Sequence, residues 1–546
     1  MPMAADPPPA DEQNLQVSPR SGTLAIDLGS TTTVVAFQAD GSSHLEPVDL
    51  PPISRTPGEV PSLLWLKDSQ DPHPLVGRQV IDSGLNAWDG PELLRDFKRS
   101  IAGSSPEPGE AGRNLPAQEA AERLLAEIWR RLPKQLTVHR LVLTAPIDHY
   151  RGYRHWLLRA CEALPVDAIA LVDEPTAAAL GAGLPPGSKL LVVDLGGSTI
   201  DMALVALEGG EGRAAPLAQL LRFNGRMLGS SGQALRCAKV LGKAGLRLGG
   251  RDLDHWILDH LTGASPAAEG VLPMALLNAA ERLKCRLSDP ALEAQTTLTE
   301  LAVAGDAAAP CELRLNREEL NRLLHARGLV EALDDLLEQT LAGGRRHGVN
   351  LEDLQGVMAV GGGARLPLLR EWLERRTRPV PLLTPAPVEA VARGALAVTP
   401  GVQIRDVLRH GVSLRCWDRR SNRHHWHPLF MAGQTWPTTT PLEIVLAAGW
   451  DDQRQVELVL GEPEVVGHHD VVFRHGLPTL QTNDRTPRIR AWDGAPVAVP
   501  LQPAGKAGED CLRLRWSLDA ASQLRVEIED LRNGKALPSL VLGTVR

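Results

Sequence analysis

The sequence lacks the features that mark several common classes of protein. None of its six cysteines forms a Cys-x-x-Cys pair, which argues against a zinc knuckle or a thioredoxin motif. No apolar run reaches the roughly 20 residues that a membrane-spanning helix needs. The net charge is −8, and no basic stripe with aromatic residues occurs, so nucleic acid is not an expected partner. The cysteines are interpreted as reduced thiols of a cytoplasmic protein.

The length of the chain and the changes in its sequence pattern predict several domains. Its 546 residues exceed one ordinary domain. Residues 1–21 are rich in Pro, Ala and Asp and predict a disordered leader rather than a signal peptide. Strands alternating with helices over 22–399 predict an α/β domain. A linker is expected at 400–410. Short alternating apolar segments separated by turn residues then predict an all-β sandwich over 411–546.

One turn motif occurs twice in matching surroundings. Asp27-Leu-Gly-Ser-Thr-Thr and Asp194-Leu-Gly-Gly-Ser-Thr each follow an apolar strand and precede another. A single copy is better explained as a simple tight turn, but a repeat of this kind indicates two related halves that face one cleft. Glycine allows the chain to approach a phosphate closely, and successive amides form an anion-binding nest. The predicted phosphate contacts are the backbone N–H groups of Gly29, Ser30, Thr31, Gly196, Gly197 and Ser198.

A third glycine-rich segment follows another predicted strand. Gly361-Gly362-Gly363-Ala364-Arg365 lies between an apolar strand and a predicted helix. Three glycines in this position let a planar ring or a phosphate lie against the backbone. The sequence contains no Gly-x-x-x-x-Gly-Lys-[Ser/Thr], which excludes a P-loop NTPase on motif grounds.

Together these motifs resemble the actin-like ATPase superfamily and, more closely, the 70-kDa heat-shock protein family of DnaK-type chaperones. The likeness runs from about residue 22 to residue 535. It implies a two-lobed actin-like nucleotide-binding domain at 22–399 followed by a substrate-binding β-sandwich at 411–546. The family's C-terminal helical lid is not expected, because no helical pattern follows the last predicted strand. The segments that carry the resemblance are Asp27–Thr33, Val172–Ala179, Asp194–Asp201 and Val360–Pro367.

The resemblance implies a set of catalytic residues. Phe97–Ile101 matches the family segment that holds the catalytic lysine, so Lys98 is expected to reach the γ-phosphate. An ammonium group there offsets charge on the transferred phosphoryl group. Glu174 is expected to hold the attacking water or the magnesium shell. Asp194 and Thr199 are expected to orient the water and the γ-phosphate.

The resemblance also implies the cofactors. ATP or ADP is expected with Mg²⁺, and K⁺ is an additional candidate cation. Asp27 stands at a strand end, where a carboxylate holds a hydrated magnesium, usually through water. Asp27, Asp194 and Asp201 are therefore the predicted metal-binding residues, mostly through water.

A predicted helix supplies the adenosine contacts that the resemblance implies. Glu281, Lys284 and Ser288 share one helical face and are expected to meet the edges of the ribose and adenine. The alternative for these three residues alone is a solvated helix face. Gly361–Gly363 and Arg365 complete the predicted nucleotide-binding set.

Several positions depart from the family pattern. Cys285 stands where the family has an arginine stacked on adenine, with Arg286 as a candidate substitute, and Val388 replaces an aspartate near the cleft. The chain between Lys98 and Ala117 is shorter than in the family, so a small β subdomain where nucleotide-exchange partners dock is expected to be reduced. Arg226–Gly245 is longer and receives no role.

Two further matches concern communication between domains. Pro146 and Arg154 match a proline and an arginine that relay the nucleotide state in the family. The linker segment Gln403–Arg409 is interrupted by charge where the family has leucines. Each lost leucine forfeits roughly 1.5–3 kcal/mol if fully buried, so weaker linker docking is expected.

The predicted peptide pocket is also unusual. An ungapped match from Thr435–Pro437 places Cys416, Ile444 and Val456 at apolar pocket positions and Arg454 at the central one. A lone arginine in such a pocket is costly unless it is paired. Either the register slips, or the site prefers more polar or acidic segments. The histidines of His424–His427 are interpreted as a solvated loop, since neighbouring strand residues point to opposite faces.

Three functional hypotheses follow. The first is a divergent, lidless chaperone that acts as a monomer. Its ligands would be unfolded or exposed polypeptide segments. J-domain proteins and a nucleotide-exchange factor would be further partners. The second is a nucleotide-gated co-chaperone or scaffold with little hydrolysis, which the departures at Cys285, Val388 and Arg409 favour. The third is a sugar-kinase-like phosphotransferase, which the Glu174-Pro-Thr-Ala segment and the β-rich C-terminal part argue against.

Overall fold

The computed structural model describes most of the chain, and the first described strand starts close to the predicted domain start. No helix within the described part is long and apolar enough to cross a membrane. Val388, Arg154, Arg409 and residues 226–235 of the longer segment at 226–245 lie outside it. The described residues are 19–42, 44–101, 114–147, 153, 156–157, 159–161, 164–185, 187–209, 220–222, 236–263, 273–303, 310–383, 390–396, 403–408, 410–418, 421, 423–432, 434–438, 440–463, 469–474, 477–482, 489–492, 496–519 and 523–545.

The first lobe is built on a mixed sheet. Its strands are ordered β12-β9-β8-β1-β2-β3, with β4 also paired to β2, and β5, β6 and β7 form a small separate sheet. This lobe includes the helices α1 (Arg78–Asp82) and α2 (Ala117–Arg130). The strands are β1 (Arg20–Asp27), β2 (Thr32–Ala39), β3 (Glu46–Pro47), β4 (Glu59–Pro61), β5 (Leu63–Trp65), β6 (Leu75–Val76), β7 (Leu93–Arg95), β8 (Leu136–Ala145), β9 (Ala168–Asp173) and β12 (Leu220–Arg222).

The second lobe repeats this plan around a second sheet. Its strand order is β17-β16-β10-β11-β13-β18-β21, and β14 and β15 pair separately. The strands are β10 (Lys189–Leu195), β11 (Ile200–Gly209), β13 (Arg236–Leu246), β14 (Leu298–Ala302), β15 (Cys311–Leu315), β16 (Gly356–Val360), β17 (Leu382–Leu383), β18 (Gln403–Val407) and β21 (Thr435–Trp436).

Helices surround the second lobe and connect it to the first. An apolar core runs from β10 and β11 through the helices to Trp372. The helices are α3 (Glu174–Gly181), α4 (Gly250–Thr262), α5 (Met274–Leu287), α6 (Arg317–Ala326), α7 (Leu329–Arg346), α8 (Pro367–Arg376) and α9 (Ala390–Leu396).

The alanines of the Glu-Pro-Thr-Ala-Ala-Ala segment have a packing role. Ala177, Ala178 and Ala179 are fully buried on α3, and α9 crosses closely enough that a Cβ on Gly394 would lie 1.6 Å from the Ala177 carbonyl oxygen. Only small residues permit helices to approach this closely. The motif therefore fixes how α3 and α9 meet between the two lobes.

The C-terminal part is all β in the described residues. Its main sheets have the orders β20-β19-β24-β27 and β22-β29-β30-β31, and two further pairs are β23-β28 and β25-β26. Buried apolar side chains from both main sheets, such as Leu414 and Leu514, share one core. The strands are β19 (Val412–Asp418), β20 (Arg423–Phe430), β22 (Leu442–Ala447), β23 (Gln453–Leu458), β24 (Leu460–Pro463), β25 (His469–Arg474), β26 (Leu477–Thr482), β27 (Ile489–Ala491), β28 (Val497–Gly505), β29 (Asp510–Leu518), β30 (Gln523–Asp530) and β31 (Lys535–Thr544).

The predicted linker contains a strand that joins the two parts. β18 pairs in parallel with β13 of the second lobe, with Gln403 opposite Cys237 and Arg405 opposite Lys239. β21 of the β-rich part pairs antiparallel with β18 on its other side. Backbone hydrogen bonds make these contacts, and they do not depend on leucine side chains. A charged linker sequence is therefore compatible with docking.

Candidate nucleotide-binding cleft

The two Asp-Leu-Gly turns meet at the centre of the cleft. Each lies between antiparallel strands, β1–β2 and β10–β11, as the sequence predicts. The hydroxyl oxygens of Ser30 and Ser198 are 2.5 Å apart. Gly197 lies so close to the first turn that a Cβ there would be 3.0 Å from Thr31 Cγ2. The two turns thus form one continuous surface of small residues and backbone amides, which suits a phosphate chain.

A glycine in the first turn and a backbone hydrogen bond in the second maintain the shapes of the two turns. A Cβ on Gly29 would lie 2.1 Å from the Thr32 carbonyl oxygen, so a larger residue would displace the first turn. In the second turn the N–H of Gly196 donates to the carbonyl oxygen of Thr199 at 2.9 Å. Thr199 therefore closes the turn through its backbone.

A buried ion pair lies near the two turns. Lys98 Nζ donates to Glu174 Oε1, and the two residues are 7% and 5% exposed. Burial opposes the charge of Lys98, but the neighbouring groups Glu174, Tyr153 and Asp27 together outweigh it and raise the pKa of Lys98. Burial raises the pKa of Glu174 to about 6, although Lys98 partly offsets the increase. Glu174 is the first residue of α3, so the helix start fixes its position.

Three buried or half-buried aspartates stand at the ends of the strands. Asp27 accepts a hydrogen bond from the Thr144 hydroxyl at 2.6 Å, and Asp194 lies opposite Asp201 in the β10–β11 ladder. Burial raises the pKa of Asp194 well above its ordinary value, and the carboxylates of Glu174, Asp27 and Asp201 raise it further. An excess of buried negative charge suits a divalent cation.

The same aspartates do not form a direct coordination shell. Among the described residues, no three His, Cys, Asp or Glu side chains are grouped closely enough to hold a metal ion. Magnesium commonly keeps several of its waters in sites of this kind. That Asp27, Asp194 and Asp201 hold a hydrated ion mostly through water stays a prediction.

The third glycine-rich segment packs directly on the second turn. Gly361 adopts φ +78°, and a Cβ there would lie 2.4 Å from Asp194 Oδ1. A Cβ on Gly363 would lie 1.9 Å from Leu195 Cδ2. Glycine is required at Gly361 for both its backbone conformation and this close approach. The segment therefore packs directly against the Asp194 carboxylate.

A cavity of about 580 Å³ opens beside these elements. Its wall begins at the two turns and ends at α5 and the third glycine-rich segment. The predicted catalytic residues Lys98, Glu174, Asp194 and Thr199 are absent from this wall. The predicted nucleotide-binding residues on it are Ser30, Thr31, Gly197, Glu281, Lys284, Ser288, Gly362, Gly363 and Arg365.

On the cavity wall the polar face of α5 is tied to α4. Lys284 Nζ contacts Asp254 Oδ1 at 2.7 Å and donates to the Gly250 carbonyl oxygen at 2.7 Å. The Ser288 hydroxyl donates to the Lys284 carbonyl oxygen at 2.8 Å. Burial raises the pKa of Asp254 to about 7, partly offset by Lys284. Glu281, Lys284 and Ser288 therefore all lie on the cavity wall, and Lys284 contacts Gly250, whose N–H donates to the Gly196 carbonyl oxygen of the second turn.

Sequence reasoning missed a group of charged residues that crosses the cleft. Arg95 Nη1 of the first lobe donates to Asn278 Oδ1 at 2.9 Å, and Arg251 of the second lobe lies 3.2 Å from Asp96 Oδ2. Arg99 and Asp252 form a buried interlobe ion pair at 2.6 Å. The Gly249-Gly250 pair at the start of α4 is a sequence signal that could have located this helix. These contacts hold the lobes together at the cavity.

Cys285 lies where the first cavity meets a second one. The second cavity has a volume of about 730 Å³, and Cys285, Ser288 and Arg365 line both. The Cys285 side chain is exposed. Arg286 instead pairs with Glu300 at 2.6 Å. Arg286 is thus paired on the far side of α5. It does not fill the end of the cavity where adenine is expected, and this base end is left open.

The predicted peptide pocket has a different geometry from the ungapped match. A β-bulge lies between Gln453 and Gln455, and Arg454 is exposed within it. Ile444 and Val456 are half-buried against the β-rich core. Gln453 is buried and accepts from the Gly449 N–H at 2.7 Å. Arg454 is therefore exposed, and no lone arginine is buried at this position.

Comparison with known families agrees with this architecture. The model of the Hsp70 protein family matches residues 110–214 and 239–414, together just over half of the chain. The chain belongs to the Hsp70 family. An Hsp70-family chain has an actin-like ATPase domain followed by a β-sandwich, in agreement with the two-lobed and β-rich parts seen here.

Two relatives show how far the chain has diverged within the Hsp70 family. The chaperone protein DnaK of Mycoplasmopsis pulmonis is 27% identical over 531 residues, which cover 94% of this chain and 77% of that protein. The chaperone protein DnaK of Thermosipho melanesiensis is 25% identical over 548 residues, covering 96% of this chain and 81% of that protein. The similarity therefore includes both the ATPase-like and the β-rich parts.

Proposed function

We propose that the chain is an ATP-dependent chaperone of the Hsp70 type, in which ATP binding and hydrolysis change the affinity of the β-rich domain for unfolded polypeptide segments. The observation that carries the proposal is the meeting of the two turns at Ser30 and Ser198, 2.5 Å apart, beside the Lys98–Glu174 pair. Phosphate-binding amides and a buried cation–carboxylate pair are the parts that phosphoryl transfer needs.

The proposed orientation of ATP follows from the cavity. The phosphates lie on the two turns, and the base lies between α5 and Gly362–Arg365. Lys98 would offset the charge that develops on the γ-phosphate. Ionised Glu174, with Asp194, would orient the attacking water and accept its proton. Bound Mg²⁺ would offset charge on the phosphate oxygens, with Asp27, Asp194 and Asp201 contacting its waters.

The β-rich domain is the proposed site for polypeptide. Alternate residues of β22, Leu442, Ile444 and Leu446, are half-buried and present an apolar surface that an extended segment can cover. J-domain proteins and a nucleotide-exchange factor are proposed partners, and the chain is proposed to act as a monomer.

The test is ATP hydrolysis measured with and without an unfolded peptide. We expect turnover to rise roughly fivefold or more when the peptide or a J-domain protein is added, together with suppression of aggregation in a light-scattering assay. Unchanged turnover combined with unchanged aggregation would rule out the chaperone proposal.

A second candidate is a nucleotide-gated co-chaperone that hydrolyses ATP slowly. The open base end at Cys285 favours it, because a base held loosely positions the phosphates less well. Nucleotide-dependent binding of peptide by a variant that cannot hydrolyse ATP would support this candidate, whereas loss of function in such a variant supports the first.

A further inference from the structure

Strands β25 and β26 stand apart from the rest of the β-rich domain. They pair only with each other among the described strands, in register from His469–Thr482 to Arg474–Leu477. An isolated two-stranded unit is at best marginally stable in water and needs a surface to pack on. The surface used here belongs to the second lobe of the ATPase domain.

One apolar pair fixes the strands on that lobe. Val471 and Leu480 lie directly opposite each other, and both pack against the second-lobe core. Leu480 also lies over the start of α7, since a Cβ on Gly328 would be 3.6 Å from Leu480 Cδ1. The contact is therefore part of a folded core.

A hydrogen bond gives this contact a fixed position. Trp256 on α4 is fully buried, and its indole N–H donates to the carbonyl oxygen of Pro478 at 2.6 Å. A buried indole N–H without a partner costs free energy, so the carbonyl of β26 completes the environment of a core residue in the other domain.

The helix that receives this contact also lines the nucleotide cavity. Gly250, Arg251 and Asp254 at the start of α4 belong to the cavity wall, and Trp256 follows within the next turn. A short helix moves as a rigid unit, so a displacement at Trp256 is transmitted to Arg251 and Asp254.

We propose that the β25–β26 pair is an interdomain strap that positions α4 and thereby couples the β-rich domain to the nucleotide cavity. It acts beside the linker strand β18 and through separate contacts. The coupling rests on the proposed function, whereas the docking of the strap does not.

Two variants remove the strap contact, and each has a matched control. Leu480→Asp places a charge in the apolar contact, and Arg474→Ala is its control on the exposed side of the same pair. Trp256→Phe removes the indole donor but keeps an aromatic ring. Trp372→Phe is its control, because Trp372 is also buried and donates to Asp334 at 2.8 Å, within the second lobe.

The first readout is amide hydrogen exchange of the full-length proteins without nucleotide. Exchange in Leu477–Thr482 and in Gly250–Thr262 is expected to accelerate in both strap variants and to stay at the wild-type rate in both controls. Unchanged exchange in Leu480→Asp would overturn the docking of the strap.

The second readout is release of a fluorescent ADP analogue. We expect release to accelerate by roughly threefold to thirtyfold in the strap variants, with a smaller change in single-turnover hydrolysis. Faster exchange with unchanged ADP release would overturn the coupling. A wild-type chain that binds no ADP would overturn the proposed function itself, and this failure is recognised before any variant is compared.

Discussion

The cleft and the β-rich domain differ in how they place charged side chains. In the cleft, Lys98 and Glu174 are buried and paired, as are Arg99 and Asp252. On the β-rich domain, Arg454 is exposed in a bulge beside half-buried apolar residues. Buried, paired charges are preorganised for one ligand geometry, while half-exposed apolar surfaces accept many ligands. Under the proposed function, the chain would combine a selective nucleotide site with an adaptable polypeptide site.

The largest expected effect comes from removing the buried cation of the cleft. Lys98→Ala should lower single-turnover ATP hydrolysis by about 100- to 1,000-fold, because one preorganised electrostatic contact to the transition state is lost. ATP affinity, measured by calorimetry, should change little, since the turns and α5 remain. Lys134→Ala, at an exposed lysine, is the control. An unchanged rate in Lys98→Ala would show that the Lys98–Glu174 pair takes no part in ATP hydrolysis.

The second prediction concerns the pH dependence of hydrolysis. Burial raises the pKa of Glu174 to about 6, so this carboxyl is protonated below that pH and cannot accept a proton from water. Single-turnover rates should fall about tenfold per pH unit below 6. Asp254→Asn should leave this midpoint in place, because it alters a different carboxyl. A single-turnover rate that stays constant between pH 5 and pH 8 would show that Glu174 does not accept the proton of the attacking water.

The third prediction tests the open base end of the cavity. Cys285→Arg should tighten ATP binding by about tenfold, because a guanidinium stacked on the adenine ring contributes on the order of 1–2 kcal/mol. Cys285→Ser adds no stacking group and should leave the affinity close to that of the wild type. Equal affinities for the arginine and serine variants would indicate that the base does not lie beside residue 285.

The smallest expected effect belongs to the bulge of the β-rich domain. Arg454→Ala should change the free energy of unfolding by less than about 0.5 kcal/mol, since the side chain is exposed. Binding of acidic peptides should weaken by roughly threefold at low salt, with neutral peptides unaffected. A large gain in stability, measured by chemical denaturation, would instead mean that Arg454 is buried.

Local sequence motifs predicted the two hairpins at the centre of the cleft. The repeated Asp-Leu-Gly turns predicted both hairpins, and the observed ladders place Asp27 opposite Val34 and Asp194 opposite Asp201. Such predictions succeed because turn chemistry and strand pairing act over a few residues. The roles of the predicted catalytic residues stay predictions.

Features that depend on distant contacts were not predictable in the same way. Arg251 and Asp96 are far apart in the sequence and meet only across the cleft. The bulge at Arg454 has no sequence signal, so the exposure of that side chain was not predictable from strand alternation. The linker docks through backbone pairing, which a reading of its side chains does not reveal.

The most direct test of nucleotide coupling between the two domains is limited proteolysis at Arg405 in the linker strand β18, with and without ATP. Because β18 is paired on both sides, ATP binding that holds the domains docked should slow cleavage after Arg405, and ADP should slow it less. Identical cleavage rates with ATP, with ADP and without nucleotide would contradict the account.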